Sequence, residues 1–332
     1  MEIIDAIKKV IPFAGGEKTG LWQNVCFRPG EVTAQTPSGG ARAVADVDLN
    51  CSVAAKDLSK ALRAVGGVPT LSVEQHKLVL RSGGARVSLA MSADDGPSFP
   101  STPKEWIECS GFDQIARVSW GCSSDETRQH LNGVFLGPRG MESCNGHVAV
   151  QFSGVDYLSL LGSTVLVPSK MESVLTGSKF VSHAVGRRLF CSEGNTENFA
   201  FCQLLQESFP PTSNFFDQHE SSPSALVNRC DLQDLVRRAR TGASILGMRV
   251  GGGRLTVDSE AGVTNCRFDF FDSVALRECA IPDVVFGISA DYLLDMLKHS
   301  VGEDVLIRTE GSLSPLIVED GSLRCVIMPC RL

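Results

Sequence analysis

Two residues of the tetrapeptide CNGH, Cys144 and His147, stand close enough in sequence to suggest a thiol nucleophile and its general base. A working pair of that kind needs a third group to orient the imidazole, and none is evident around this turn-like tetrapeptide. GGEKTG, Gly15 to Gly20, has the glycines of a phosphate-binding loop but not its Gly-Lys-Ser/Thr core, because Glu17 precedes Lys18. The glycines at 251–253 lack the strand, turn and helix context of a dinucleotide fingerprint and suit a hairpin turn better. Twelve cysteines could hold metal, yet none forms CxxC, and the closest two, Cys325 and Cys330, fall within one expected strand and its tail. They read as free, mostly buried thiols of a reducing compartment. No catalytic residue, no metal and no cofactor is expected.

The chemistry left is that of charge and of one apolar tail. Lys56, Lys60 and Arg63 are spaced i, i+4 and i+7, which on a helix is one continuous basic face. Further cations recur on short amphipathic segments: Lys8 and Lys9, Arg117, Lys170 and Lys179, Arg237 and Arg238, and Lys298. The chain as a whole carries a formal charge of −7, so a polyanionic partner is compatible only if the cations are gathered on one surface and the acids lie elsewhere. The tail is CVIMPCRL, Cys325 to Leu332, apolar almost to its last residue where a chain end normally frays in solvent. Such an end is expected to dock.

The elements that must position these groups can be read from periodicity. Helical spacing of apolar residues marks six segments: EIIDAIKKVI, AAKDLSKALRAV, GFDQIARVSW, PSKMESVLTGSK, RCDLQDLVRRAR and ADYLLDMLKHS. KLVLRSGGARVSLAM and ILGMRVGGGRLTVDS read as hairpins turning at their glycines. SADDGPSFPSTPKEW and ESFPPTSNFFDQHESSPS have the composition of linkers and cut the chain into 1–104, 105–222 and 223–332, each with two basic helices and a set of strands. The expected class is α+β with a threefold internal layout. No apolar stretch reaches the length of a membrane span and the start lacks the apolar core of a signal peptide, so a cytoplasmic chain without a membrane partner is expected.

The stretches RSGGARVSLAM, DETRQHLNGVFL, CNGH, RCDLQDLVRRA, SLSPLIVED and VIMPCRL together resemble the bacterial DNA polymerase III beta subunit, the sliding clamp. The likeness covers nearly the whole chain and is most specific at the MPCRL end, and it describes a divergent, shortened member. It implies the DNA clamp fold: three similar domains, each with two helices packed on antiparallel sheet, in a ring-forming homodimer whose helices line a central hole. It implies a non-enzymatic processivity factor that encircles double-stranded DNA without reading its sequence, the basic residues named above facing the phosphates. It also implies a groove that captures a short peptide from the polymerase, the clamp loader and repair proteins. The matching positions are Leu131, Gly146, His147, Val148, Ala149, Tyr292, Ser314, Pro315, Met328, Pro329, Cys330, Arg331 and Leu332.

Departures from the pattern sharpen the expectation. The strand that usually precedes the opening helix is missing, and TPSGGARAVADV replaces a familiar strand-and-turn stretch. Val148 and Ala149 stand where arginine and leucine are common, and Cys330 where methionine is usual, so the groove is expected to prefer a different peptide. At the dimer contact Val87 and Leu89 are retained in kind, whereas Gly242 and Ala243 replace bulky apolar residues. A second reading therefore stands beside the clamp: a divergent paralogue that keeps the groove as a peptide-binding module without encircling DNA.

Overall fold

The computed structural model describes residues 1–14, 23–93, 98–184, 187–194, 197–258 and 270–332. The GGEKTG loop therefore lies outside the described residues. The chain divides into two compact units, one of Met1–Asp113 with Met171–Leu204 and the other of Gln114–Lys170 with Leu205–Leu332. Each is an α+β assembly of antiparallel sheet with helices packed on it. No helix among the described residues is long and apolar enough to cross a membrane.

The first unit holds α1 (Ile3–Val10) and α2 (Ala55–Val65). In α1, Ile4, Ile7 and Val10 are buried against the strands Glu31–Thr36 and Gly39–Val44, so the helical spacing of the sequence is the spacing of the contact face. α2 packs on the hairpin Lys77–Ser82 and Ala85–Ala90 and stops at Gly66, whose φ of +65° a side chain would resist. Its buried Leu58, Ala61 and Val65 leave Lys56, Lys60 and Arg63 in solvent. An eight-stranded sheet runs from Cys51–Ala54 to Ile107–Glu108, and its middle joins Gly39–Val44 to Phe199–Gln203. The core of TPSGGARAVADV is thus a regular strand. Gly40 permits the junction, because a Cβ there would lie 2.8 Å from the Phe201 ring and 2.6 Å from the Gln35 Cβ.

The expected linker at 92–106 is also pinned down where it is described. Phe99 and Trp106 pack on the aromatic cluster Phe190, Phe199 and Phe201, and Arg42 donates to the Thr102 hydroxyl at 2.7 Å. Proline and serine gave it a linker's composition, but three aromatic neighbours supply more burial than a solvated loop would. The PSKMESVLTGSK segment forms only a 3-10 turn, Ser169–Met171, and four helical residues, Glu172–Leu175, with its glycine at 177 ending it.

The second unit is built on a twelve-stranded sheet from Val165–Pro168 to Val284–Ser289. Its fourth and fifth strands are the pair Val148–Phe152 and Leu323–Ile327, in register from Val148 opposite Ile327 to Phe152 opposite Leu323. The long helices are Arg229–Arg240 and Ala290–His299, which pack on each other. The first begins where the Asn228 side chain accepts from the amides of Cys230 and Asp231, a side-chain cap. GFDQIARVSW, expected as a full helix, is a 3-10 turn followed by the four residues Ala116–Ser119. The hairpin Ile245–Gly251 and Arg254–Asp258 turns as expected on Gly252 and Gly253, both at positive φ (57° and 72°).

The stretch 207–224 is not a linker. It contains a short helix, Ser213–Gln218, whose Phe216 is fully buried. One aromatic anchor and two flanking polar ties hold it to the sheet: the Thr212 hydroxyl donates to the buried Glu142 carboxylate, and Arg139 pairs with Asp217 at 2.6 Å.

Candidate functional site

The tail docks within the second unit. At the end of the strand pair Val148–Phe152 and Leu323–Ile327 the Met328 amide donates to the His147 carbonyl at 2.9 Å, which extends the register of Val148 opposite Ile327 by one more contact. Two residues further on, the Cys330 amide donates to the Gly287 carbonyl at 2.9 Å, on the last strand of the sheet. Gly287 is the condition for this crossing: a Cβ there would run into the Cys330 carbonyl oxygen and lie 3.0 Å from the Leu332 side chain. The apolar end of the sequence is thus an extended segment laid across the unit, with Met328 and Leu332 each still 41% exposed.

Around the tail the CNGH turn is ordered by its own asparagine. The Asn145 side-chain oxygen accepts from the amides of His147 and Val148 at 2.9 and 3.0 Å, and its amide donates to the Tyr292 hydroxyl at 3.3 Å. Gly146 takes φ +92°, next to the guanidinium of Arg128, which donates to the Asn145 carbonyl at 3.4 Å. His147 is exposed, and Ser314 and Pro315 are half-buried. Arg128 was not anticipated from sequence; a lone arginine three residues before Leu131 carries no signal until the turn folds back on it. Cys144 accepts from the Gly146 amide at 3.3 Å, and burial raises its thiol pKa, which disfavours the thiolate a nucleophile needs.

Three of the expected groove positions are buried: Val148 and Ala149, at 2% and 5% exposure, are interior positions of the strand Val148–Phe152, and Leu131 is buried likewise. Cross-strand pairing places Cys144, Ala149, Val326 and Ile317 in one row, since Cys144 faces Ala149, Ala149 faces Val326 and Val326 faces Ile317. The next row is polar, with Glu142, Gln151, Arg324 and Glu319 in order. Both rows lie on the face away from Ser143, whose hydroxyl donates to the Val118 carbonyl of the short helix behind the sheet at 2.5 Å.

The basic residues divide by their surroundings. Lys56, Lys60 and Arg63 form an exposed face with no carboxylate partner among the described residues, and Lys179 and Lys298 are exposed as well. Lys8 and Lys9 border a cleft of about 500 Å³ in the first unit; Lys8 lies 3.7 Å from Asp5, and Lys9 pairs with Glu193 at 2.9 Å. Lys170 is solvent-exposed, 4.0 Å from Glu126. Arg237 pairs with Asp234 and Arg238 with Asp272, both at 2.7 Å, so each already has a local counter-charge. Arg117 is a correction. Its side chain is only 18% exposed; it donates to the His299 carbonyl at 2.9 Å and to Gln114 at 3.1 Å, pairs with Asp320 at 3.5 Å, and stacks over Phe152. It is a structural tie, not a free cation.

The expected dimer residues are also placed differently from a simple exposed patch. Val87 and Leu89 turn into the core of the first unit, while Arg86, Ser88 and Ala90 alternate outward along the strand Ala85–Ala90. That strand pairs only with Lys77–Ser82, so its other edge is open among the described residues. Gly242 and Ala243 are half-buried just past the end of their helix and line a small apolar recess with Phe270 and Ile245.

No protein-family model matches the chain, and no curated protein matches it in sequence. Solved structures do match. The fold they share with this chain is that of DNA sliding clamps, and the similarity runs over the whole length. The beta subunit of DNA polymerase III from Thermotoga maritima superposes with a TM-score of 0.84 at 17% identity, covering 100% of this chain and 97% of that one. The DNA polymerase sliding clamp of Bacillus subtilis gives 0.82 at 15% identity, and a Bartonella birtlesii sliding clamp bound to griselimycin gives 0.83 at 16%, each covering 99% of this chain and 97% of its own.

Proposed function

We propose that this chain is a sliding clamp, a non-catalytic homodimeric ring that encircles duplex DNA and tethers a polymerase to it through a peptide groove. The observation that carries the reading is the agreement of fold over the full length of known clamps. In this reading residues 1–104, 105–222 and 223–332 are three repeats of one module, and the protein works in the cytoplasm. The exposed face of Lys56, Lys60 and Arg63, with Lys8, Lys170, Lys179 and Lys298, meets phosphates and carries no sequence information. The tail, His147, Gly146, Tyr292, Ser314 and Pro315 frame the groove, where an apolar floor with a few orienting polar groups suits a short peptide. Its ligands are segments of the polymerase, the clamp loader and repair proteins.

Ring closure is supported by two strand edges that are open among the described residues. One is Ala85–Ala90; the other is the first part of Phe271–Arg277, which pairs with Arg254–Asp258 along its length but with Ser224–Asn228 only at Leu276 and Arg277. Two copies related by a two-fold axis satisfy both edges twice. Light scattering on the purified protein tests this directly: a dimer has twice the 35.6 kDa chain mass at micromolar concentration. A strict monomer would favour the paralogue that binds peptides without encircling DNA.

A further inference from the structure

The apolar row at the foot of the groove is already occupied. Cys144, Ala149, Val326 and Ile317 lie side by side across four strands, and the ring of Phe216 rests on them with no exposed surface. Met328 follows Val326 by two residues, just past the end of the strand Leu323–Ile327, and by the two-residue alternation it continues the face on which the row lies. Phe216 is not loosely inserted. The Arg324 guanidinium covers its ring at 5.5 Å, Asp217 beside it is tied to Arg139, and Thr212 before the helix is tied to Glu142, which Gln151 also contacts at 3.3 Å. The small side chain of Ala149 is what makes room: a longer one in the middle of the row would meet the ring.

We propose that Phe216 is the specificity determinant of the groove, filling from within the chain the apolar pocket above Ala149 so that only ligands with a small anchor are accepted. The inference rests on the clamp reading, and the geometry it adds is the occupation of the row by the Ser213–Gln218 helix. Its neighbour Phe215 is exposed.

Griselimycin, the compound bound by the Bartonella birtlesii clamp, is the probe. Titrating it by calorimetry into the full chain, Phe216→Ala should bind at least tenfold more tightly than the wild type, with Phe216→Leu between them. Equal affinity for wild type and Phe216→Ala, or weaker binding by the variant, overturns the assignment while leaving the groove in place. Absence of binding by all three proteins overturns the groove itself and the inference with it. Should Phe216→Ala fail to fold by circular dichroism, Phe216→Leu decides: a gain of threefold or more supports the assignment, and no gain overturns it.

Discussion

Single residues here are best separated by what their atoms already touch. Arg117 and Lys60 look alike in sequence, each a cation on an amphipathic segment, yet one is engaged by a backbone carbonyl, an amide and a carboxylate and the other by water. Arg117→Met is therefore expected to cost about 1.5–3 kcal/mol of stability, the range for hydrogen bonds to a charged group. The lower end applies, because Asp320 keeps the amides of Val301 and Gly302 and is not left unpaired. Denaturant unfolding measures the loss, and DNA affinity of the folded variant should stay within twofold of the wild type. Gly287→Ala makes the opposite kind of test. Its Cβ displaces the Cys330 carbonyl, so the tail should lift from the last strand, with faster amide exchange at Cys330 and weakened ligand binding, while the melting temperature moves little.

At the scale of elements, α2 presents three cations with no partner among the described residues, and its role can be isolated. Replacing Lys56, Lys60 and Arg63 by glutamine should flatten the dependence of log K on log salt by about 0.9 for each phosphate that is no longer neutralised. An unchanged slope measured by fluorescence anisotropy would take this helix off the DNA. Elements with strong periodicity were legible in the sequence: α1, α2, Arg229–Arg240 and Ala290–His299 occupy their expected segments, as do both glycine hairpins. The weak ones were not. GFDQIARVSW and PSKMESVLTGSK are too short to hold more than a turn or two of helix, and tertiary contacts decide where such pieces stop. The helix Ser213–Gln218 was hidden because its proline- and serine-rich surroundings resemble a linker, and its one anchor, Phe216, is visible only once four strands align beneath it. The burial of Val148 and Ala149 likewise depends on strand register, which sequence alone does not fix.

At the scale of the molecule, the proposed clamp needs little affinity for DNA if topology keeps it there, so an overall charge of −7 is no obstacle to that proposal provided the cations gather on the surface that would meet the duplex. Closure is the demanding step. Gly242 and Ala243 offer little bulk at the end of their helix, but Phe271 begins the partly unpaired strand with 75% of its surface exposed, the largest apolar side chain at that open edge. A lone exposed aromatic is a modest cost for a monomer, and at an interface it becomes an anchor whose burial removes that cost and adds packing against a second copy. Phe271→Asp puts a charge where the partner strand would lie, beside the carboxylate of Asp272. It should leave the fold intact, since the side chain contacts mostly solvent, and weaken self-association by about 100-fold, or roughly 1.4 kcal/mol at each of the two interfaces. Analytical ultracentrifugation across a concentration series reads this as a shift from dimer to monomer. A variant that sediments like the wild type at every concentration would place the contact elsewhere.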